Sequence, residues 1–285
     1  MEKIMKDEKN HILRVDCPDR KGLVHNITGV LFNNGLNITS NGEFVDKATS
    51  HFFMRTGFTG RLDRSRVEKE LSDILDKDAL VQLSENSRKK TVVLASKEPH
   101  CLGDLLVRNE YKQMNAEIKT VISNHDVLRK MVEAFGLPYE FLSAESYSRE
   151  KHEEMISAEI DKYNPDFIVL AKYMRVLTPA LVAKYKNRII NIHHSFLPAF
   201  IGASPYQQAF DRGVKIIGAT AHFVTDLLDD GQIITQDVIH IDHTYGPEEM
   251  RQAGRDVEKA VLARALKLVF EDRVFISGNK TVIFD

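Results

Sequence analysis

The apolar pattern of this chain changes its repeat once, and that change limits the folds open to it. Residues 11–17 alternate like a strand, Pro18-Asp19-Arg20-Lys21-Gly22 breaks them, and Leu23, Ile27, Val30 and Leu31 recur at helical spacing until Gly35 closes the helix. Residues 37–45 and 51–58 read as an antiparallel pair, 65–75 as a helix and 79–83 as a last strand. That order, βαββαβ, is the ferredoxin-like arrangement. From Thr91 onward strands alternate with helices, the signature of a mostly parallel, Rossmann-like sheet, with strands at 91–95, 117–122, 139–142 and 167–170. The polar, basic run Ser84-Glu85-Asn86-Ser87-Arg88-Lys89-Lys90 has no periodicity and separates the two patterns. Two domains are therefore expected, at 1–86 and 87–285, the alternative being a solvated loop within one domain.

Composition excludes several classes of function. With 285 residues and 43% hydrophobic content the chain can bury a real core. A net charge of −2 leaves no electrostatic footprint for nucleic acid, and no apolar run approaches the roughly 18 residues of a membrane span. Cys17 and Cys101 stand far apart and form no CxxC, so neither a disulfide framework nor a thiolate metal site is indicated. The opening MEKIMKDEKN lacks the apolar core of a signal peptide, which makes a cytoplasmic location the default expectation.

The densest set of reactive side chains lies in residues 188–231. Residues 188–193 read as a short buried strand on which Asn191 and His193, two apart, share a face. His194 is expected on the opposite face, in a scaffold or supporting role. A polar loop leads to Ser204-Pro205, an N-cap with proline at the first helical position, and that helix should end near Gly213. A strand over 215–224 carries His222 and runs into the turn Thr225-Asp226-Leu227-Leu228-Asp229-Asp230-Gly231, from which a carboxylate is expected to reach His193. An amide, an imidazole and a carboxylate suit attack on a carbonyl carbon: the amide N–H stabilises the oxyanion, the imidazole moves a proton, and the carboxylate orients water. No nucleophilic side chain is needed.

Other segments are read as follows. The turn after the strand at 91–95, Ser96-Lys97-Glu98-Pro99-His100-Cys101-Leu102-Gly103, has one glycine and an acid where a phosphate binder would carry a glycine-rich loop. The loop Ala171-Lys172-Tyr173-Met174-Arg175-Val176-Leu177 precedes an N-cap at Thr178-Pro179. Residues 247–270 form a long helix with Val257, Ala260, Val261, Ala265 and Leu268 on its packed face, and Gly278-Asn279 marks a terminal hairpin. His240, Asp242 and His243 invite a metal reading, but on a strand His243 leaves the face that the other two share, so no metal site is assigned.

Four segments carry a family resemblance: NIHHSFLPAF, GATAHFVTDLLDDG, ASKEPHCLGDLL and VDCPDRKGLVHNITGVLFNNGLNI. The first three resemble the formyltetrahydrofolate hydrolase and formyltransferase superfamily, and within it the formyltetrahydrofolate deformylases. The fourth resembles the opening of ACT domains, regulatory modules that commonly bind amino acids at subunit interfaces. The resemblance implies an ACT domain followed by a formyltransferase-fold domain, with Asn191, His193 and Asp229 catalytic. It also implies Met174, Arg175, Leu177, His222 and Thr225 as substrate contacts. It further implies hydrolysis of 10-formyltetrahydrofolate to formate and tetrahydrofolate, balancing one-carbon pools and supplying formate for purine synthesis. No cofactor beyond the folate substrate, an amino-acid effector at the ACT domain and a homo-oligomer, dimer or tetramer, are expected. Two alternatives stay open: a formyltransferase acting on an amine acceptor, and an amino-acid-sensing protein with an inactive hydrolase half. Ser204 and Gln232 depart from the residues common in related deformylases.

Overall fold

The computed structural model describes residues 9–85, 87–145, 147–198 and 205–285, and its first six elements run strand, helix, strand, strand, helix, strand. They are β1 (Asn10–Pro18), α1 (Leu23–Asn33), β2 (Asn37–Asp46), β3 (His51–Thr59), α2 (Arg64–Ile74) and β4 (Leu80–Glu85). The strands form an antiparallel sheet in the order β2-β3-β1-β4, the ferredoxin-like arrangement that the sequence pattern requires. Local chemistry sets the helix ends. Asp63 accepts a hydrogen bond from Arg66 N at 3.2 Å as the N-cap of α2, and Gly35, at φ 68°, stops α1 in the left-handed conformation open to glycine. Leu23, Ile27, Val30 and Leu31 from α1 and Val67 and Leu71 from α2 pack on Leu13, Val15 and Met54 to make the core.

Contacts divide the chain into two compact units, and the division does not follow chain order. One holds the described residues up to Ser87 with Glu271–Ser277 and Val282–Asp285; the other holds Arg88–Phe270 with Gly278–Thr281. In the first unit the C-terminal residues cover the face of the sheet that α1 and α2 leave open. Phe275 meets Phe53 edge to face at 5.7 Å, and the Arg14 guanidinium lies 4.2 Å over the Phe275 ring. Arg55 donates to the carbonyls of Glu271 and Asp272 at 2.8 and 3.1 Å. Phe53, on a strand that would otherwise face solvent, is fully buried.

The second unit is built on β5 (Lys89–Ala95), α3 (His100–Glu110), β6 (Ala116–Ser123), α4 (Arg129–Glu133), β7 (Tyr139–Phe141), α5 (Arg149–Tyr163), β8 (Phe167–Ala171), α6 (Pro179–Lys184) and β9 (Ile189–His193). It continues through α7 (Pro205–Arg212), β10 (Ile216–Phe223), β11 (Ile233–His240) and α8 (Pro247–Phe270). Its seven-stranded sheet has the order β11-β10-β9-β8-β5-β6-β7, parallel from β7 to β9 and antiparallel where β10 joins β9 and β11. The chain winds outward from β5 through β6 and β7, then crosses back to lay β8 on the other side. The carboxyl ends of β5 and β8 therefore flank a topological switch point, where open α/β sheets bind ligands. The expected span of α8 is observed, but its packed face differs: Ala260 is exposed and Val257 half-buried, while Gly254 and Glu258 are buried with Val261 and Ala265. A carboxylate within an apolar stripe needs partners, and those partners lie at the site.

Candidate active site

Asn191 and His193 leave β9 on one face, as strand geometry dictates, and the antiparallel neighbour β10 sets His222 directly opposite Asn191. His222 is almost wholly buried. Its Nδ1 lies 2.7 Å from the Phe223 carbonyl and therefore carries the hydrogen, which leaves Nε2 to accept from Asn191 Nδ2 at 3.2 Å. One N–H of Asn191 is committed to His222 and the carboxamide orientation is fixed; the other N–H remains for a ligand. Burial lowers the His222 pKa, against opposing effects of the Phe223 hydrogen bond and the Asp229 charge.

The turn after β10 brings in the carboxylate. Asp229 Oδ1 stands 3.3 Å from His193 Nδ1 and 3.8 Å from His222 Nε2, whereas Asp226 and Asp230 are exposed. Its pKa is lowered, chiefly by the His193 hydrogen bond, which outweighs the opposite effect of burial. Asp229 adopts φ 54°, a left-handed conformation that aspartate tolerates better than most residues. The turn can close this tightly because Gly231 lies against the end of β10. A Cβ there would sit 1.7 Å from the Phe223 carbonyl oxygen.

A cavity of about 260 Å³ opens beside these groups, lined by Asn191, His193, His194, His222, Thr225 and Asp229 and by the loop after β8 with Met174, Arg175 and Leu177. Every residue that the sequence marked for the site lies on this one cavity. Met174 is exposed at its rim and Leu177 is buried in its wall. The loop is held from behind: Met174 N donates to Ser96 Oγ at 3.0 Å, Arg149 donates to the Val176 carbonyl at 2.6 Å, and Glu153 accepts from Thr178 N at 2.9 Å. An apolar slot with a few fixed polar groups suits a flat heterocycle.

Two expectations need correction, and one lies outside the described residues. His194 does not take the face opposite His193: β9 ends at His193, the chain bends, and the two rings stack with centroids 4.8 Å apart and planes 17° from parallel. Alternation between faces holds only while the strand continues. The α8 face carries a buried acid rather than packing residues alone. The proposed N-cap at Ser204 falls outside the described residues. Gln232 donates to the Gly278 carbonyl at 2.9 Å. His240, Asp242 and His243 do not gather into a ligand set among the described residues, and Asp242 instead accepts from Thr244 N at 2.8 Å.

Sequence reasoning missed a buried ionic cluster behind the histidines. Glu258 on α8 accepts from His100 Nε2 at 2.7 Å and Tyr206 Oη at 2.9 Å, and pairs with Lys172 Nζ at 3.1 Å. Burial pushes its pKa up, but the His100 hydrogen bond and the Lys172 charge outweigh that and leave it at about 2. Gly254, one turn before Glu258, admits Tyr206: a Cβ would lie 2.0 Å from its hydroxyl. His100, Cys101 and Glu258 could geometrically hold a metal ion, but the ammonium of Lys172 already serves as the cation for that carboxylate. The signal in the sequence was Glu258 itself, spaced by three and four from Gly254, Val261 and Leu262 on an otherwise apolar face.

Comparison with known proteins agrees with this geometry. The formyl transferase family model matches residues 89–266 and the ACT domain model matches residues 11–76. The chain is 54% identical over 272 residues to the formyltetrahydrofolate deformylase of Escherichia coli O6:H1, covering 95% of this chain and 97% of that protein. It is 41% identical to the Bacillus subtilis formyltetrahydrofolate deformylase, covering 98% and 95%. The crystal structure of a formyltetrahydrofolate deformylase from Pseudomonas syringae pv. tomato superposes with a TM-score of 0.94 at 39% identity, covering 99% of this chain and 96% of that one. With its ACT domain, its formyl transferase domain and the cavity at the carboxyl ends of β8 and β9, the chain belongs to the formyltetrahydrofolate deformylase family.

Proposed function

We propose that this protein hydrolyses 10-formyltetrahydrofolate to formate and tetrahydrofolate, with Asn191, His193 and Asp229 as the catalytic residues. The observation that carries the reading is the convergence, on one cavity, of an oriented amide N–H, an imidazole and a carboxylate held 3.3 Å from that imidazole. Water attacks the formyl carbon while the Asp229–His193 pair takes its proton; because the two groups share a hydrogen bond, that proton belongs to the pair. The carbonyl oxygen becomes an oxyanion that accepts from the free N–H of Asn191. His193 then delivers the proton to N10 as the carbon–nitrogen bond breaks, releasing tetrahydrofolate, and the carbon leaves as formate. His222 keeps the Asn191 amide in register. Met174, Arg175, Leu177 and Thr225 hold the folate.

The start of α3 favours water over a phosphorylated amine as acceptor. Its first turn is faced by Glu98, paired with Arg255 at 3.0 Å, and by Glu258, both carboxylates where a phosphate would need donors. Residues 1–86 are read as the regulatory domain and 87–285 as the catalytic one, with an amino acid as effector of the former. The assembly is read as a homo-oligomer, a dimer or tetramer, working in the cytoplasm without a further cofactor, and its formate as feeding purine synthesis. Incubating the purified protein with 10-formyltetrahydrofolate in buffer alone tests the activity. Stoichiometric formate supports hydrolysis, and formyl transfer only after an amine acceptor is added overturns it.

A further inference from the structure

Two consecutive histidines, His193 and His194, stand at the end of β9, and both line the cavity. Their rings stack at 4.8 Å, so a second proton placed on the pair would set two positive charges against each other. The mechanism proposed above needs that proton on His193. Lys172 decides between the two rings.

Lys172 follows β8 directly, is buried, and holds φ 60°. A left-handed backbone costs a residue other than glycine about 1 kcal/mol or more, so a position needing only that turn would favour glycine. Here the side chain has specific partners: its ammonium donates to His194 Nδ1 at 3.3 Å and pairs with Glu258 at 3.1 Å. An ammonium has donors and no lone pair. His194 must therefore present a bare Nδ1 and carry its hydrogen on Nε2, and a protonated His194 would turn an N–H against a cation. The charged and titratable groups around this ring are Lys172 after β8, Glu258 on α8, His193 on β9, Tyr206 on α7 and Asp229 after β10. Burial first, then Lys172, then His193 bring the His194 pKa down to about 4.

We propose that Lys172 is a positioning residue for the hydrolysis: by donating to His194 Nδ1 it keeps that imidazole neutral and reserves the proton of the stacked pair for His193. Glu258 completes the device by holding the ammonium in place with its own charge balanced. The proposal rests on His193 as the proton carrier of the reaction.

Full-length protein with 15N-labelled histidine tests it by NMR from about pH 5 to 9, alongside kcat and KM over the same range. In the wild type the His194 resonances should show the Nε2–H tautomer throughout. In Lys172→Met, and in Lys172→Met/Glu258→Gln, which leaves no unpaired buried carboxylate, His194 should titrate at a higher pH than in the wild type, with burial still holding it below the ordinary histidine value. Turnover of either variant should then fall further at pH 6 than at pH 8.5, by up to about fourfold, with KM changed less than about twofold, because protonated His194 opposes protonation of His193. A variant whose His194 titrates no higher than in the wild type, or whose turnover drops by the same factor at every pH, overturns the proposal. Absence of formate with the wild type would sink the hydrolase reading instead, while the NMR titration still decides the role of Lys172.

Discussion

His193 Nδ1 lies 3.3 Å from Asp229 Oδ1, which commits that ring nitrogen to the carboxylate and leaves Nε2 without a partner among the described residues. The contact orients the ring and selects its tautomer before any ligand arrives. Pre-set hydrogen bonds of this kind stabilise charge as it develops without reorganisation at the moment of reaction.

Replacing Asn191 by alanine removes the oxyanion donor. Loss of one such donor costs about 2.7–4 kcal/mol in the transition state, so kcat should drop roughly 10²–10³-fold while the thermal unfolding midpoint stays close to that of the wild type. A loss of under about fivefold would place the oxyanion elsewhere.

Asp229→Asn should lower kcat by roughly 10²–10⁴-fold, the range for removing a positioned acid–base group. The same variant has a stability signature. The folded-state pKa of Asp229 lies below its unfolded value of about 3.9, so its ionisation stabilises the fold above that pH and the contribution is lost as pH falls through the folded value. The gap in urea stability between wild type and variant should be flat above about pH 5 and shrink in acid. A gap that widens on acidification would contradict this.

Glu258→Ala strands the Lys172 ammonium in the interior, and breaking one side of a buried pair costs about 3–5 kcal/mol. Equilibrium urea unfolding at pH 7 should show that loss. Because Glu258 titrates at about 2 in the fold against about 4.3 unfolded, the carboxylate contribution should persist at pH 5 and fade as pH drops from about 4 towards 2. Wild-type stability at pH 7 in the variant would show that α8 does not need the pair.

Gly231→Ala puts a methyl group against the Phe223 carbonyl oxygen and must push the turn outward, carrying Asp229 with it. A displacement of about 1 Å in a catalytic group costs roughly 10² in rate. The drop should appear in kcat/KM with little change in circular dichroism, and near-normal activity would show that the turn has slack.

Much of this was legible in the sequence because local signals and tertiary demands coincide. The two repeat patterns, the Thr178-Pro179 helix start and the full span of α8 follow from spacing and capping alone. Asn191 and His193 were proposed from a period of two, a local property, whereas the acidic turn offered Asp226, Asp229 and Asp230 alike and only the family resemblance singled out Asp229. His194 was misplaced because the strand rule was carried one residue past the strand. Lys172 and Glu258 escaped because each is ordinary in its own segment; only the winding of β8 against α8, 86 positions away in sequence, makes them a pair. Pairings between distant segments leave no period to read.

The strand at Val274–Ser277 has a consequence for how the polypeptide is made. Phe53, Arg14 and Arg55 emerge from the ribosome early, yet their ring, cation–π and carbonyl partners are supplied by residues 271–277. The domain of Phe53, Arg14 and Arg55 is therefore finished by residues translated only after α8. Until those residues emerge it carries an uncovered aromatic face, so a nascent product or one truncated before residue 271 should engage chaperones that the chain with residues 271–277 in place escapes.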